Sequence, residues 1–321
     1  MELKNSLNKY FYTLIILLFF CFFSNEVLAG TETCTTGLDT SYKTGDTTDV
    51  TVSFQGETDF PNDGMIDFQF DMDFDVSGAT LSTCSFDGSA VLSININTLE
   101  VTRQSDGSTV MAFMPNSCTF NGIVNPSYVQ TTDSYNCNTY DNALFLLDSG
   151  TEAGSSITVN SLSATNVEPA DLNPASQGTV TVSFTTKNAL SSSDKIKITF
   201  GSGFDLTSVG SSDGACSTMD GTITTSVSSQ VVTLTRGGGS TQSAAAETCT
   251  IANVINPTSG GSTGTYTIQT TTLANQARDQ DISVTADTIL TCSNGTFFLS
   301  SLDDKLCGEE FYSRLILASV L

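Results

Sequence analysis

Residues 51–54 read Thr51-Val52-Ser53-Phe54, and 130 positions further on the chain reads Thr181-Val182-Ser183-Phe184. Around the second stretch Val180, Val182 and Phe184 alternate with Thr and Ser. That period of two sends every second side chain to one face of an extended strand. The echo continues outward: Ile66, Phe68 and Phe70 fall on Ile196, Ile198 and Phe200, and Phe74-Asp75 on Phe204-Asp205. With a small drift, Cys84 meets Cys216, Asp87-Gly88 meets Asp220-Gly221, and Thr102-Arg103 meets Thr235-Arg236. Cys118-Thr119 followed by Asn125-Pro126 matches Cys249-Thr250 followed by Asn256-Pro257, and Gln130-Thr131-Thr132 is paired with Gln269-Thr270-Thr271. Ordered matches of this number identify a duplicated unit.

The alternation recurs in Val231-Val232-Thr233-Leu234, Tyr266-Thr267-Ile268 and Ile282-Ser283-Val284, with Gly, Asn, Asp and Ser clusters between the runs. Before residue 300 no stripe of helical period competes with it. The expectation is all-β, with two tandem antiparallel β-sandwich domains of about seven strands each. Their bounds are set at residues 30–165 and 166–291. The first copy holds nine Phe and the second three, which predicts a bulkier first interior. Ile157-Thr158-Val159-Asn160, similar to Ile282-Ser283-Val284-Thr285, is expected to close the first sandwich. Pro169 and Pro174 are expected to stiffen the junction between domains.

Composition narrows the function. The chain has 321 residues, 11 Lys plus Arg against 34 Asp plus Glu, a net charge of −23, and no His or Trp. Such a charge repels nucleic acid, and without His neither a Ser-His-Asp nor a Cys-His mechanism is available. No pair of carboxylates is singled out by spacing for hydrolysis. The chain is read as not an enzyme, with no cofactor and no metal.

Residues 1–29 have the form of a secretory signal peptide, with Lys4 and Lys9 before an apolar run and Val27-Leu28-Ala29 at the cleavage site. No second apolar segment is long enough to span a membrane, so the mature chain is expected to be secreted to the cell surface or beyond. Cys21 leaves with the leader, and the eight cysteines that remain imply four disulfides in an oxidising compartment. The repeat pairs Cys84 with Cys118 and Cys216 with Cys249. Cys34 and Cys137 both lack counterparts and are paired together, which leaves Cys292 with Cys307. The tail, residues 292–321, falls outside the repeat and carries the one N-glycosylation sequon, at Asn294.

Two features invite a binding role. In residues 67–75 alternation would place Phe68, Phe70, Met72 and Phe74 on one face and Asp67, Asp71, Asp73 and Asp75 on the other. The EF-hand pattern fails there, with Val76 where Gly is required and Ser82 where Glu is required, so a solvated strand face is expected. Arg103 and Arg236 occupy matching positions. Each is expected to lay its stem along a sandwich edge and pair with a local Asp rather than with a ligand.

Few cations guard the strand edges, with residues 266–272 and 156–159 carrying none, which favours pairing with a neighbouring subunit. The segment 30–49 and the tail after Cys292 are the candidate strand donors. The motifs Thr179 to Phe184, Lys195 to Phe200 before Gly203-Phe204-Asp205-Leu206, Val232 to Arg236, and Cys249 to Pro257 before Gly264-Thr265-Tyr266-Thr267-Ile268 resemble the immunoglobulin-like repeats of secreted surface and extracellular-fibril proteins of microbial eukaryotes. The resemblance covers residues 157–290 well and 45–165 more loosely. It implies immunoglobulin-like domains and an extracellular setting more firmly than an activity. The resulting expectation is a structural subunit of an extracellular filament or surface coat, a homopolymer built head to tail by β-strand addition. The alternative is a monomeric cell-surface adhesin or carbohydrate-binding module that takes glycans as partners.

Overall fold

The computed structural model describes residues 29–291. The leader with Cys21, the pair Cys292 and Cys307, Asn294 and the tail lie outside the described residues. Among these residues the chain is all β, without a helix. The first eleven strands are β1 (Gly30–Leu38), β2 (Thr47–Gly56), β3 (Met65–Gln69), β4 (Thr80–Cys84), β5 (Ala90–Asn95), β6 (Thr98–Arg103), β7 (Asn116–Val124), β8 (Gln130–Thr131), β9 (Tyr135–Tyr140), β10 (Leu146–Glu152) and β11 (Ser156–Ile157). The following twelve are β12 (Asn160–Ser161), β13 (Ser163–Pro169), β14 (Gln177–Thr185), β15 (Lys195–Thr199), β16 (Gly214–Cys216), β17 (Thr222–Ser228), β18 (Val231–Gly237), β19 (Ala246–Ile255), β20 (Gly261–Ser262), β21 (Tyr266–Thr271), β22 (Ala277–Val284) and β23 (Thr288–Ile289).

Both halves use one strand order. In the first, β4-β7-β2-β1 form one layer and β10-β9-β3-β6-β5 the other, joined through β1. Gly30 and Thr31 run parallel to Asp148 and Ser149 of β10, whereas Glu32 to Leu38 run antiparallel to β2. The second half has layers β13-β14-β19-β16 and β12-β22-β21-β15-β18-β17, with β12 parallel to β22 and β13 antiparallel to β14. The alternating residues fill the space between layers: Val50, Val52 and Phe54 meet Ile66, Phe68, Leu99 and Val101 in one core. Val180, Val182 and Phe184 meet Ile196, Ile198, Val232 and Leu234 in the other. Each such side chain contributes ~1.5–3 kcal/mol on burial, enough to let period-two patterning decide the fold. An aromatic triad repeats too, Phe70–Phe74–Tyr135 with centroids 5.6–6.1 Å apart and Phe200–Phe204–Tyr266 at 5.2–5.9 Å.

Among the described residues three disulfides are present. Cys84–Cys118 and Cys216–Cys249 staple directly opposed residues of neighbouring strands, and Cys34–Cys137 ties β1 to β9 across the interior.

The structure corrects several expectations. Two-residue pairings such as β8–β11 and β20–β23 raise the strand count above seven per copy. Tyr135, not Gln130, is the counterpart of the β21 segment, because β9 pairs with β3 as β21 pairs with β15. The first unit closes as expected at Ile157, which is buried in the first core while β11 pairs with β8, but Asn160–Ser161 pairs with Asp279–Gln280 of the second half. Residues 160–165 therefore belong with the second core, ahead of the expected boundary at 166. Pro169 lies inside β13, paired with Val180, and Pro174 in the turn after it, so the prolines form no linker. Residues 266–271 are a central strand between β15 and β22 rather than an edge. Of the nine Phe residues of the first copy, Phe113 and Phe145 are exposed.

Candidate functional site

Because β2 and β7 are antiparallel, Gly56 and Asn116 mark one end of the first half and Thr47 and Val124 the other. At the first end three loops, residues 57–64, 104–115 and 141–145, are tied together. The Phe113 amide donates to the Gly56 carbonyl at 2.8 Å, the Ala112 amide to Asp59 Oδ1 at 2.8 Å, and Asn142 Nδ2 to Asp63 Oδ2 at 2.7 Å. These loops carry Met111, Phe113, Met114, Leu144 and Phe145 outward, with Phe113 64% and Phe145 70% exposed. Phe113 and Leu144 sit at φ of 63° and 64°, the left-handed region that favours glycine. Apolar side chains held outward beside Glu57, Asp59, Asp63 and Asp141 form a surface suited to contact, not to a core.

Arg103 anchors this end from beneath. It is 3% exposed and donates from Nη1 to the carbonyls of Phe60 (3.2 Å) and Pro61 (2.7 Å), and from Nη2 to those of Asp87 (3.3 Å) and Ser108 (2.6 Å). Its guanidinium also lies 5.3 and 4.9 Å from the Phe60 and Phe86 ring centres. Arg236 repeats the device: Nη1 serves Leu190 and Ser191, and Nη2 serves Ser240 and Asp220 Oδ1 at 3.0 Å. The expected Asp pairing is present, with Asp87 at 3.6 Å from Arg103. The edge placement is corrected, because both heads are buried and spent on loop carbonyls. Neither is available to a ligand.

The opposite end of the first half meets the second half through buried polar groups. Asn188 Nδ2 donates to Thr44 Oγ1 (3.1 Å), Thr44 Oγ1 to the Arg278 carbonyl (2.5 Å), Asn160 Nδ2 to Asp46 Oδ1 (2.8 Å), and Arg278 Nη1 to Ser127 Oγ (2.6 Å). Arg278 also pairs with Asp194 at 2.8 Å. With their hydrogen bonds made, these groups fix one relative orientation.

The acidic run does not assemble into one face. The β3 strand ends at Gln69, so residues 70–75 turn, and Met72 emerges 69% exposed, against the predicted apolar face. Asp67 is half-buried and accepts from Asn138 and Tyr140, and burial raises its pKa above the usual value. Asp73 accepts from Tyr128 and Gln130, and Asp75 closes a turn on Ser77. Among the described residues no three acidic or cysteine side chains gather as a metal cluster.

A second polar feature gave no sequence signal. Glu32 of β1 is 3% exposed, and neither carboxylate oxygen has a hydrogen-bond partner among the described residues. Burial first, then the neighbouring charges of Asp148 and Asp67, push its pKa up to about 8. A Glu within an alternating strand reads as solvent-facing until the register of β1 is known.

No protein-family model matches the chain, and no curated protein does. Solved structures do align. The C-terminal domain of the Streptococcus pyogenes antigen I/II-family protein AspA is 10% identical, covering 81% of this chain and 98% of that one, with a TM-score of 0.28. The N-terminal domain of the Streptococcus gordonii adhesin Sgo0707 is 12% identical over 76% of this chain and 60% of that one, with a TM-score of 0.29. BslA, a bacterial hydrophobin, is 14% identical over 40% of this chain and 98% of that one, with a TM-score of 0.26. At these scores the likenesses carry no argument.

Proposed function

We propose that the chain is a non-enzymatic, extracellular surface module of adhesin type that presents the loop end of its first half to a partner. The single observation that carries this reading is the loop end itself: five large apolar side chains are held outward by three loops, two clamped from below through Arg103 and the third tied to Asp63 through Asn142. Three disulfides fit an oxidising compartment, and the buried junction makes the second half a fixed base for that tip. The test is binding of the labelled, purified protein to the surface of the cells that produce it, with a glycan array in parallel to separate sugar from protein partners. Replacing Phe113 and Phe145 together with Ser is expected to weaken binding at least tenfold without lowering Tm. Equal loss from Ile282→Ser, an exposed control on β22, would sink the proposal.

One observation favours a second reading, the head-to-tail filament or coat subunit. The equivalent end of the second half, with Asn188, Ala277 and Arg278, is already docked on the base of the first. A second copy could repeat that contact at the free tip. Strand donation is a poor route to it, because residues 30–38 are paired along their length within their own half. Negative-stain images of native material decide: filaments with a regular axial repeat favour assembly, isolated two-lobed particles the adhesin.

A further inference from the structure

The outer strands of the two sandwiches are guarded unequally. Among the described residues β4 has five residues and shifts against β7 between Leu81 and Thr83, β13 shifts against β14 between Ser163 and Asn166, and β16 has three residues. Short or bulged edges resist pairing with another chain. By contrast β5 ends the first half's five-stranded layer, runs six residues against β6 without a shift, and has no strand on its other side. The stretch Ala90-Val91-Leu92-Ser93-Ile94-Asn95-Ile96-Asn97 contains no charge and no Pro.

The second half shows how such a strand is built when it faces water. Its edge strand β17 takes the same place beside β18. Arg103 faces Ala90 as Arg236 faces Ile223, so Val91 corresponds to Thr224 and Ile96 to Ser229. Where the second half has hydroxyls, the first has Val91, 55% exposed, and Ile96, 77% exposed. Ile96 is held at φ 56° in the two-residue turn from β5 to β6, and Ser229 at 54° in the matching turn. A β-branched residue in the left-handed region is strained, and Ser229 shows that the turn does not require one. Beneath them Ala90 and Leu92 pack on the first core, so the strand is anchored while Val91 and Ile96 meet solvent.

We propose that β5 is a dimerisation edge, pairing antiparallel with β5 of a second copy across a two-fold axis at Ser93. In that register Leu92 lies opposite Ile94 of the partner subunit, and the two five-stranded layers become one continuous layer. Two-fold pairing uses each edge once, so the assembly closes at the dimer. Charge selects the occupant. A chain at −23 repels its own copy, and β5 is a stretch without charge where two copies can approach. Glu100 of β6 accepts from the Ser93 hydroxyl at 2.9 Å. The two Glu100 carboxylates of a dimer would stand three strand spacings apart, about 14 Å, beyond the ~8 Å screening length at physiological salt. A cationic partner would find its counter-charges elsewhere on this surface. Size sets the strength: six residues a side fall well short of the ~20–30 of a standard interface, so the dimer is weak, with a Kd on the order of 10⁻⁴ M. Because β5 runs from the Arg103 end toward the junction end, antiparallel pairing turns the two loop tips to opposite ends of the dimer.

The experiment is sedimentation equilibrium of the oxidised mature chain at concentrations bracketing that Kd. A monomer–dimer equilibrium is expected, tightening as salt is raised and the mutual repulsion of two acidic copies is screened. Val91→Lys places a charge on the edge, as guarded edge strands do. It should raise Kd at least tenfold with Tm unchanged, while Ile282→Lys, the same charge change at an exposed residue of β22, leaves Kd unaltered. Ser93→Cys should cross-link to a covalent dimer on mild oxidation, and Ser226→Cys, at the matching place on β17, should not. A chain that stays monomeric throughout, equal loss in the two Lys variants, or equal cross-linking of the two Cys variants overturns the proposal. So does association that survives Val91→Lys and is lost when Phe113 and Phe145 are replaced by Ser, which would place the contact at the tip.

Discussion

The two halves share a strand order, an aromatic triad, a buried Arg clamp and a disulfide between neighbouring strands, and differ in almost everything that faces outward or links the layers. What repeats is what a sandwich needs in order to close. What differs marks the first half as specialised: Glu32 against Leu162, Phe60 against Leu190 under the loops, exposed Phe145 against Gln276, and a cross-layer disulfide where the second half has Ile268 in the place of Cys137. Among the described residues no disulfide crosses between the layers of the second half, and the first adds one there together with a pair of buried carboxylates.

The largest break in that comparison should come from the cross-layer disulfide. Cys34–Cys137 closes a loop of 103 residues, against 34 and 33 for the other two. Loop-closure entropy then assigns about 4–5 kcal/mol to it and about 3–4 kcal/mol to each of the others. Chemical denaturation of Cys34→Ala/Cys137→Ala beside Cys84→Ala/Cys118→Ala and Cys216→Ala/Cys249→Ala should rank them in that order. An equal loss in all three would show that the chain-entropy account does not govern here.

The Arg clamps come next. Arg103→Ala and Arg236→Ala each strand several buried carbonyls, at a cost of about 2–4 kcal/mol. Arg103→Ala should be the worse by about 0.5–1 kcal/mol, since it also loses two ring faces. Lys at either position should rescue little, because one ammonium cannot span the fork-like set of acceptors. Urea melts of the four variants check this. A full rescue by Lys would mean that charge rather than geometry holds the loops.

Much of this was legible in the residues. Alternation around Val182 and its echo at Val52 gave all-β layers and the pairing of Cys84 with Cys118, because period and offset are local properties of the chain. The Arg clamp was legible as a repeated residue but not as a buried one. Burial depends on which loops fold over the β6 and β18 ends, and although Asp87-Gly88 and Asp220-Gly221 repeat there, the residues from Phe60 and from Leu190 that cover the heads do not match. Glu32 was invisible for the same reason: its face is set by the crossing of β1 between layers, a register that no alternation in residues 30–38 declares. The junction is not legible, because prolines in sequence signal a stiff junction between domains, whereas Pro169 ends β13 in a position that pairing with β14 tolerates.

The smallest predicted effect separates the ends of the two halves by pH. Ser41 donates to Asp46 in the first half and Ser176 to Asp171 in the second, the same bond with donor and acceptor exchanged along the chain. The exchange places a carboxylate at the junction, beside Asn160 and Lys187. Burial alone would raise the Asp46 pKa, but hydrogen bonds from Ser41 and Asn160 and the Lys187 charge outweigh it and hold it below 3.8. A carboxylate depressed in the folded state stabilises above its unfolded pKa and loses that contribution as pH falls through the folded value. The junction should therefore be intact above about pH 4 and loosen below it. Asp287 at the base of the second half is raised, chiefly by burial, and so has the opposite sign, gaining on acidification. Hydrogen exchange of the Asn160 amide, which donates to Thr44, should accelerate relative to that of the Asp287 amide, bonded to Thr263, once the intrinsic pH dependence is divided out. Asp46→Asn should remove most of that difference. A ratio that stays flat from neutral pH to pH 3 would show that the Asp46 charge plays no part in holding the halves together.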